Sequence, residues 1–158
     1  MEEGVPSFFR FEDLRVYGKA IDYCRWLHVA MRESRSECER ELVDKFAKAA
    51  MDIALNIAEG SSRNKNQFET YLKTSKASIR ECVVYTTIAK SVGMLNDESA
   101  EQSRGYLMEL TRMIGALIIS LQRSQRKTSF DMSSSSEPES ESDFDIKIDD
   151  GQGSDFMI

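Results

Sequence analysis

The sequence has few of the residues that build catalytic and metal sites. It contains a single histidine, His28, so one chain cannot form a histidine triad or a site with several histidine ligands. Its three cysteines, Cys24, Cys38 and Cys82, show no C-x-x-C spacing. It also lacks the glycine-rich loops that bind nucleotides and the G-x-S-x-G turn of hydrolases. These absences predict a protein that is not an enzyme and needs no metal or other cofactor.

Long hydrophobic runs are also missing. The longest one, Met113 to Leu121, is less than half of the roughly 20 residues that cross a bilayer. No apolar leader or transit segment precedes the cysteines, and the three cysteines lack C-x-x-C spacing. We therefore expect no membrane partner and a location in the reducing cytoplasm.

Negative charge is concentrated at one end of the chain. The net charge is −6, but nine acidic residues and only one basic residue follow Lys127, which leaves the preceding part at +2. Residues 128–158 are rich in Ser, Asp and Glu and cannot bury enough apolar surface to offset the ordering cost of the backbone. This composition predicts a disordered acidic tail, which either solubilises the protein or binds a partner or a basic surface through its charges and through Phe144 and Phe156.

Apolar residues recur at helical spacing in four segments. The first helix is predicted from about Asp13 to Glu33, with His28 at a core-facing position as a structural residue. Ser36 with Glu39 has capping-box spacing for a second helix that ends at Glu59. The same logic places a third helix from Asn66 to near Gly93, and a fourth from Asn96 or Asp97 to about residue 127.

Short links between long helices force neighbouring helices to run antiparallel. The fold class is therefore predicted as all-α, an antiparallel up-down-up-down four-helix bundle. We expect an N-terminal arm at residues 1–11, the bundle at 12–127 and the disordered tail at 128–158.

Motifs along the chain resemble those of a known family. They are F-E-D-L-R-V-Y-G-K-A at 11–20, N-I-A-E-G-S-S-R at 56–63, F-E-T-Y-L at 68–72, S-x-R-E at 78–81 and A-K-S-V-G-M-L at 89–95. In this order they resemble the four-helix bundle proteins encoded inside intervening sequences of bacterial 23S ribosomal RNA genes. That family is distantly similar to the accessory variability determinants of diversity-generating retroelements, which are pentameric bundles that bind a reverse transcriptase and nucleic acid.

The resemblance implies a fold, an assembly and partners. It implies a homo-oligomer, with a pentamer as the expected number, and RNA, DNA or a reverse-transcriptase-type enzyme as partner. The family motif residues are expected to be structural: Asn56, Ile57, Ala58, Glu59, Gly60, Arg63 and Glu81.

The central motif also has a local interpretation. Gly60 stands where a left-handed residue would end the second helix without a Cβ penalty. Asn56, Glu59 and Glu81 are expected to form a polar cluster between helices, with a structural role rather than a catalytic one. Glu59 and Arg63 have the spacing of an ion pair across one helical turn.

A second line of apolar residues on two helices predicts a subunit interface. Met51 and Leu55 flank the core stripe of the second helix, and Met108 and Ile119 lie away from the core stripe of the fourth. The alternative is that these are scattered surface residues, which monomers tolerate.

Basic residues gather in two places and predict a site for phosphates. One group surrounds the link between the second and third helices, and the other lies at the end of the fourth: Arg63, Lys65, Lys73 and Lys76, and Arg123, Arg126 and Lys127. Repeated around a ring of subunits, such groups form a belt that can contact nucleic acid. The predicted function is a non-enzymatic oligomeric binding or scaffold protein that engages nucleic acid or a nucleic-acid enzyme; the alternative is an adaptor whose tail binds a protein.

Overall fold

A computed structural model describes residues 7–33 and 36–134. A short 3-10 helix, Arg10–Asp13, precedes four α-helices. These are α1 (Arg15–Ala30), α2 (Glu37–Ser61), α3 (Lys65–Ser91) and α4 (Asp97–Ser134). The described part of the chain is helical and contains no strand, which confirms the predicted all-α class.

Polar side chains fix the starts of three helices. The predicted capping box is present in α2: Glu39 N donates to Ser36 Oγ, and Ser36 N donates to Glu39 Oε2. Asn96 Oδ1 accepts from Ser99 N at 2.8 Å and caps α4. In α3 the cap is Asn64, two residues before the predicted Asn66, and its Oδ1 accepts from Gln67 N at 3.0 Å.

Paired contacts give the direction of neighbouring helices. Ser75 Oγ of α3 donates to the carbonyl of Ile53 in α2, and the rings of Tyr85 and Phe46 lie 5.7 Å apart, so the two helices run in opposite directions. α3 and α4 also run in opposite directions, since Glu69 contacts Gln122 and Thr86 contacts Ser103. The same holds for α1 and α4, where Lys19 contacts Glu109 and Trp26 contacts Gln102. Backbone contacts follow the cycle α1, α2, α3, α4, so each helix has two antiparallel neighbours.

The core lies along the axis enclosed by the four helices. The predicted stripe of α2 is buried, from Phe46 through Ile53 to Ile57. In α3 the small or polar positions Ser75, Cys82 and Thr86 are buried, and their low volume lets the helices approach closely. The α4 stripe is buried at Leu107, Leu110 and Ile114, while Leu117 and Leu121 pack half-buried against its edge.

Three buried hydroxyls form a chain across this core. Tyr23 Oη of α1 lies 2.9 Å from Ser103 Oγ of α4, which lies 2.7 Å from Thr86 Oγ1 of α3. Thr86 Oγ1 donates to the carbonyl of Cys82 at 2.8 Å. Because Thr86 has one proton to donate, Ser103 must donate to Thr86, and Tyr23 must donate to Ser103. The sequence analysis did not anticipate this chain, which joins three of the four helices.

Helix boundaries differ from the predicted ones at three C-terminal ends. α1 stops at Ala30 rather than near Glu33, and α2 continues to Ser61 rather than ending at Glu59. α4 continues to Ser134, so the helix includes residues 128–134, which were predicted to belong to the disordered tail. The remainder of the predicted tail, with Phe144 and Phe156, and the first six residues of the predicted arm lie outside the described residues.

Gly60 differs from its predicted conformation. It lies inside α2, is buried, and has no positive φ; among the described residues the only glycine with positive φ is Gly93, at 77°. A Cβ at Gly60 would lie 2.6 Å from Tyr71 Cβ and 2.8 Å from Phe68 Cδ2. The absence of a side chain is therefore required for the contact between α2 and α3 rather than for a left-handed turn.

Gly60→Ala should lower the free energy of unfolding by about 1 to 3 kcal/mol, since Tyr71 Cβ is attached to the backbone and can yield only if α3 moves. Urea unfolding followed by circular dichroism measures the change. Gly115→Ala is the matched control, because nothing lies within 4 Å of its Cβ position, and alanine in a helix interior should add about 0.5 to 1 kcal/mol. Equal stability of the two variants would contradict the close-approach explanation.

Candidate nucleic-acid interface

The two predicted basic groups lie at the same end of the bundle. Lys65, at the start of α3, donates a hydrogen bond to Ser124 of α4. One turn further along, Gln122 Nε2 donates to Glu69 Oε1 at 2.8 Å. These contacts fix the start of α3 beside the last turns of α4. The group around the link between α2 and α3 and the group on α4 are therefore neighbours, although Lys76 lies eleven residues, or about 16 Å, further along α3 than Lys65. Together the seven cations are called here the basic end: Arg63, Lys65, Lys73, Lys76, Arg123, Arg126 and Lys127.

Two of these cations are already paired with carboxylates. Arg63 Nε donates to Glu59 Oε1 at 3.0 Å, which confirms the predicted pair, and this hydrogen bond raises the pKa of the guanidinium. Lys73 Nζ lies 2.7 Å from Glu69 Oε1. The Lys73 ammonium and the Gln122 amide hold the pKa of the Glu69 carboxyl below its ordinary value. Exposed pairs of this kind contribute little to stability because water screens them, so they mainly hold side chains in place.

Five cations of the basic end have no ion-pair partner among the described residues. Lys65 is exposed and donates to the Ser124 hydroxyl, Lys76 is half-buried, and Arg123, Arg126 and Lys127 are exposed. α4 extends ten residues past Ser124 to Ser134, or about 15 Å at the rise of an α-helix. Arg126 and Lys127 therefore lie on a helical overhang where a polyanion can reach them.

The polar cluster predicted around the central motif is not formed. Asn56 Nδ2 donates to the backbone carbonyl of Asp52 at 2.7 Å, and Glu59 bonds Arg63. Glu81 is exposed rather than close to the core. In the rest of the motif Ile57 is buried in the core and Ala58 is half-buried. The motif residues of α2 thus serve its helix end and its packing, and Glu81 lies apart from them.

His28 is exposed, and its predicted core-facing position is wrong. The core face of α1 is formed instead by Val16, Ala20, Tyr23 and Leu27, which have the same three-four spacing shifted by one residue. Within residues 7–33 and 36–134, no group of three or more His, Cys, Asp or Glu side chains is placed to hold a metal ion. None of the helices described is both long and apolar enough to cross a membrane.

The buried titratable groups belong to the core. Burial raises the pKa of the Cys82 thiol to about 12, and it raises the pKa of the Tyr23 hydroxyl as well. Burial also raises the pKa of the half-buried Cys24 thiol. A thiol with a raised pKa is a poor nucleophile at neutral pH, since the thiolate is the reactive form.

Two apolar grooves lie on opposite sides of the bundle. One runs between α1 and α2 and includes Leu27, Val43 and Met51. The other runs between α3 and α4 and includes Val83 and Met108, with Arg104 and Arg112 among its lining residues. The four predicted interface residues are half or more exposed: Met51 at 50%, Leu55 at 63%, Met108 at 54% and Ile119 at 50%.

A third apolar surface was missed by the sequence analysis. Val84, Ile88 and Val92 are exposed on α3 and recur every four residues, so they form one stripe. The signal is present in the sequence, but the stronger core stripe of Leu72, Ile79 and Cys82 on the same helix obscured it.

The fold and the site together define the class of protein: an all-α bundle of four antiparallel helices with one basic end. The chain belongs to the 23S rRNA-intervening sequence protein family, whose family model matches residues 12–116. A comparison with curated proteins finds no match. The matched residues include Arg63, Lys65, Lys73 and Lys76, whereas Arg123, Arg126 and Lys127 lie beyond them on α4.

Stability should fall in alkali because of the buried thiol. The unfolded chain releases the Cys82 proton near the ordinary pKa of 9.0, while the folded chain keeps it to about 12. Above pH 9 the unfolded state therefore binds fewer protons than the folded state. Below that pH the thiol does not change the free energy of unfolding, and above it the free energy of unfolding falls as the pH rises towards 12. Urea unfolding between pH 7 and 11 measures this fall. In Cys82→Ala the slope above pH 9 should be shallower by up to about 1.4 kcal/mol per pH unit.

Other groups that titrate in alkali are present in both proteins, so the difference between the two slopes reports the Cys82 thiol together with its effect on Tyr23. Identical slopes would show that Cys82 ionises normally in the folded protein.

Proposed function

We propose that this protein is a non-enzymatic, oligomeric scaffold protein that binds RNA at its basic end. The observation that carries the proposal is the contact of Lys65 with Ser124, because it joins two modest groups of cations into one surface. The name of the family points to an RNA-related role. DNA and a reverse-transcriptase-type enzyme bound to nucleic acid are further partners that the same surface suits, since each presents phosphates.

The geometry suits phosphates better than it suits base edges. Arg123, Arg126 and Lys127 are exposed on a helix without an ion-pair partner among the described residues, and long flexible cations of this kind neutralise phosphates at many positions. Each neutralised phosphate releases counterions, so binding should weaken steeply with salt and depend little on sequence. Affinity from one copy of this surface is modest, which makes repetition of the surface important.

The two apolar grooves support self-association. They lie on the α1–α2 side and the α3–α4 side, which face away from each other in the bundle. If the groove side that carries Met51 and Leu55 contacts the one that carries Met108 and Ile119 on the next copy, the contact joins two different surfaces. Such a head-to-tail contact produces a closed ring when the rotation between copies allows it. A pentameric ring would place five basic ends around one axis.

The side chains placed together in the bundle support a role without catalysis. The buried hydroxyls of Tyr23, Ser103 and Thr86 donate to one another and to a backbone carbonyl, which leaves none of them free as a nucleophile. His28 is exposed on α1 and belongs to no group of three or more His, Cys, Asp or Glu side chains placed to hold a metal ion among the described residues.

RNA binding should depend on the overhang of α4. Replacing Arg123, Arg126 and Lys127 by Gln should weaken binding of a short fluorescent single-stranded RNA, because three phosphate contacts are lost. The dependence of log affinity on log salt should become shallower by about 2 if all three cations contact phosphates. Fluorescence anisotropy at several salt concentrations measures both effects.

The matched control replaces Arg25, Arg32 and Lys90 by Gln, which removes the same charge from side chains nearer the opposite end of the bundle. Equal losses in the two variants would mean that net charge alone attracts RNA. Absence of any RNA binding at low salt would contradict the proposed function and would favour an adaptor that binds protein.

Self-association should require the grooves. Met51→Glu and Met108→Glu should each shift the mass in light scattering from an oligomer towards the monomer, because a buried unpaired carboxylate is costly at an apolar interface. Val84→Glu introduces the same charge at a similarly exposed apolar residue on α3 outside both grooves, so its mass should not change. A monomeric parent protein at tens of micromolar would contradict the oligomer, and a mass change confined to Val84→Glu would move the interface to the α3 stripe.

A further inference from the structure

The basic end carries more positive charge than the bundle itself neutralises. Arg63 and Lys73 have carboxylate partners, but Lys65, Lys76, Arg123, Arg126 and Lys127 have none among the described residues. Three of these five cations lie within five residues on one helix. Clustered like charges repel one another, so a polyanion bound there gains attraction and relieves that repulsion.

The chain itself contains a polyanion of suitable charge close to this end. Residues 137–150 hold seven acidic side chains and one lysine, a net charge of −6. They follow α4 almost directly, since α4 ends at Ser134. In this stretch the acidic residues Asp143 and Asp145 alternate with the apolar residues Phe144 and Ile146.

We propose that residues 137–150 dock on the basic end of their own chain and compete there with RNA. The competition rests on the proposed function, whereas the docking itself does not. The segment acts as a tethered substitute for a nucleic-acid backbone, because its carboxylates present negative charges at short intervals as phosphates do. RNA must then displace it, and the protein binds RNA more weakly than its cations alone would allow.

The chain length permits this contact. Lys127 lies seven residues before Ser134, or about 10 Å along the helix, and the fourteen residues of the segment span up to about 45 Å when extended. The segment can therefore turn back and reach Lys127, Arg123 and, across the contact with Ser124, Lys65. A short tether gives a high effective concentration, so weak contacts are enough for docking.

Carbodiimide crosslinking of the full chain tests the docking directly, because this reagent joins a carboxylate to an amine only when the two are in contact. At low salt, mass spectrometry should find tail carboxylates joined to Lys65, Lys76 or Lys127. These crosslinks should disappear in about 1 M salt, where the Debye length is about 3 Å. Lys45 and Lys90, which pair with Glu41 and Asp97, are internal controls and should show no crosslink to the tail.

A mixture of isotopically heavy and light protein identifies the chain that supplies the tail. Crosslinks within chains support the proposal. Crosslinks that join a heavy chain to a light one would assign the segment to a neighbouring copy and overturn the intrachain contact. Crosslinks spread evenly over all lysines, or none at all, would also overturn it.

A tail variant separates this inference from the proposed function. Replacing the seven acidic residues of 137–150 by Asn and Gln should raise the affinity for short single-stranded RNA about tenfold at low salt. The matched control is Met157→Ser with Ile158→Ser, which lies outside residues 137–150, leaves the charge intact and should leave the affinity unchanged. If RNA binds and neutralising the tail has no effect, the competition is wrong while the proposed function stands. If no variant binds RNA but the crosslinks to the basic end appear, the docking stands and the proposed function fails.

Discussion

Helices α2 and α3 approach so closely at Gly60 that a Cβ on this residue of α2 would clash with Tyr71 of α3. This contact lies near the link between the two helices, so it fixes where α3 begins. The start of α3 in turn places Lys65 beside Ser124 and Glu69 beside Gln122 on α4. A shift of α3 by a few tenths of an ångström at Gly60 would be carried along the rigid helix to these contacts. The joining of the two groups of cations therefore depends on a residue that carries no charge and contacts no ligand.

The chain of hydroxyls holds the helices in register nearer the other end. Its direction is fixed because the last proton goes to the backbone carbonyl of Cys82, which can only accept. A displacement of α4 by one turn would leave the buried hydroxyls of Tyr23 and Ser103 without the partners that they have here, and an unpaired buried polar group costs about 1 to 3 kcal/mol. An apolar core of the same volume would tolerate such a displacement more easily. Gly60 and the hydroxyl chain thus define the position of α3 at two separated levels.

The sequence predicted the four helices well, because apolar residues at three-four spacing are a direct consequence of a one-sided core. It also predicted the capping box of Ser36 and the pair of Glu59 with Arg63, which depend only on residues close in sequence. It failed where the outcome depends on contacts between helices. Gly60 was assigned a turn conformation because its steric partner, Tyr71, lies on another helix. His28 and its neighbour Leu27 each continue a three-four pattern of residues along α1. Only the packing of α1 against the other helices decides which of the two patterns faces the core. The basic residues were all identified, but their meeting at one end required the three-dimensional register of α3 and α4.

α4 is one uninterrupted helix from Asp97 to Ser134, and this continuity has a geometric consequence for its overhang. The direction in which Arg126 points is set by the rotation of the helix about its axis, and that rotation is set by the burial of Leu110 and Ile114. One inserted or deleted residue between the buried part and the overhang would turn every later side chain by about 100°. The same change would move them only about 1.5 Å along the axis. Insertions or deletions in this segment therefore mainly change the direction in which the cations point around the helix axis. Only those of three, four or seven residues keep the cations on about the same side of the bundle.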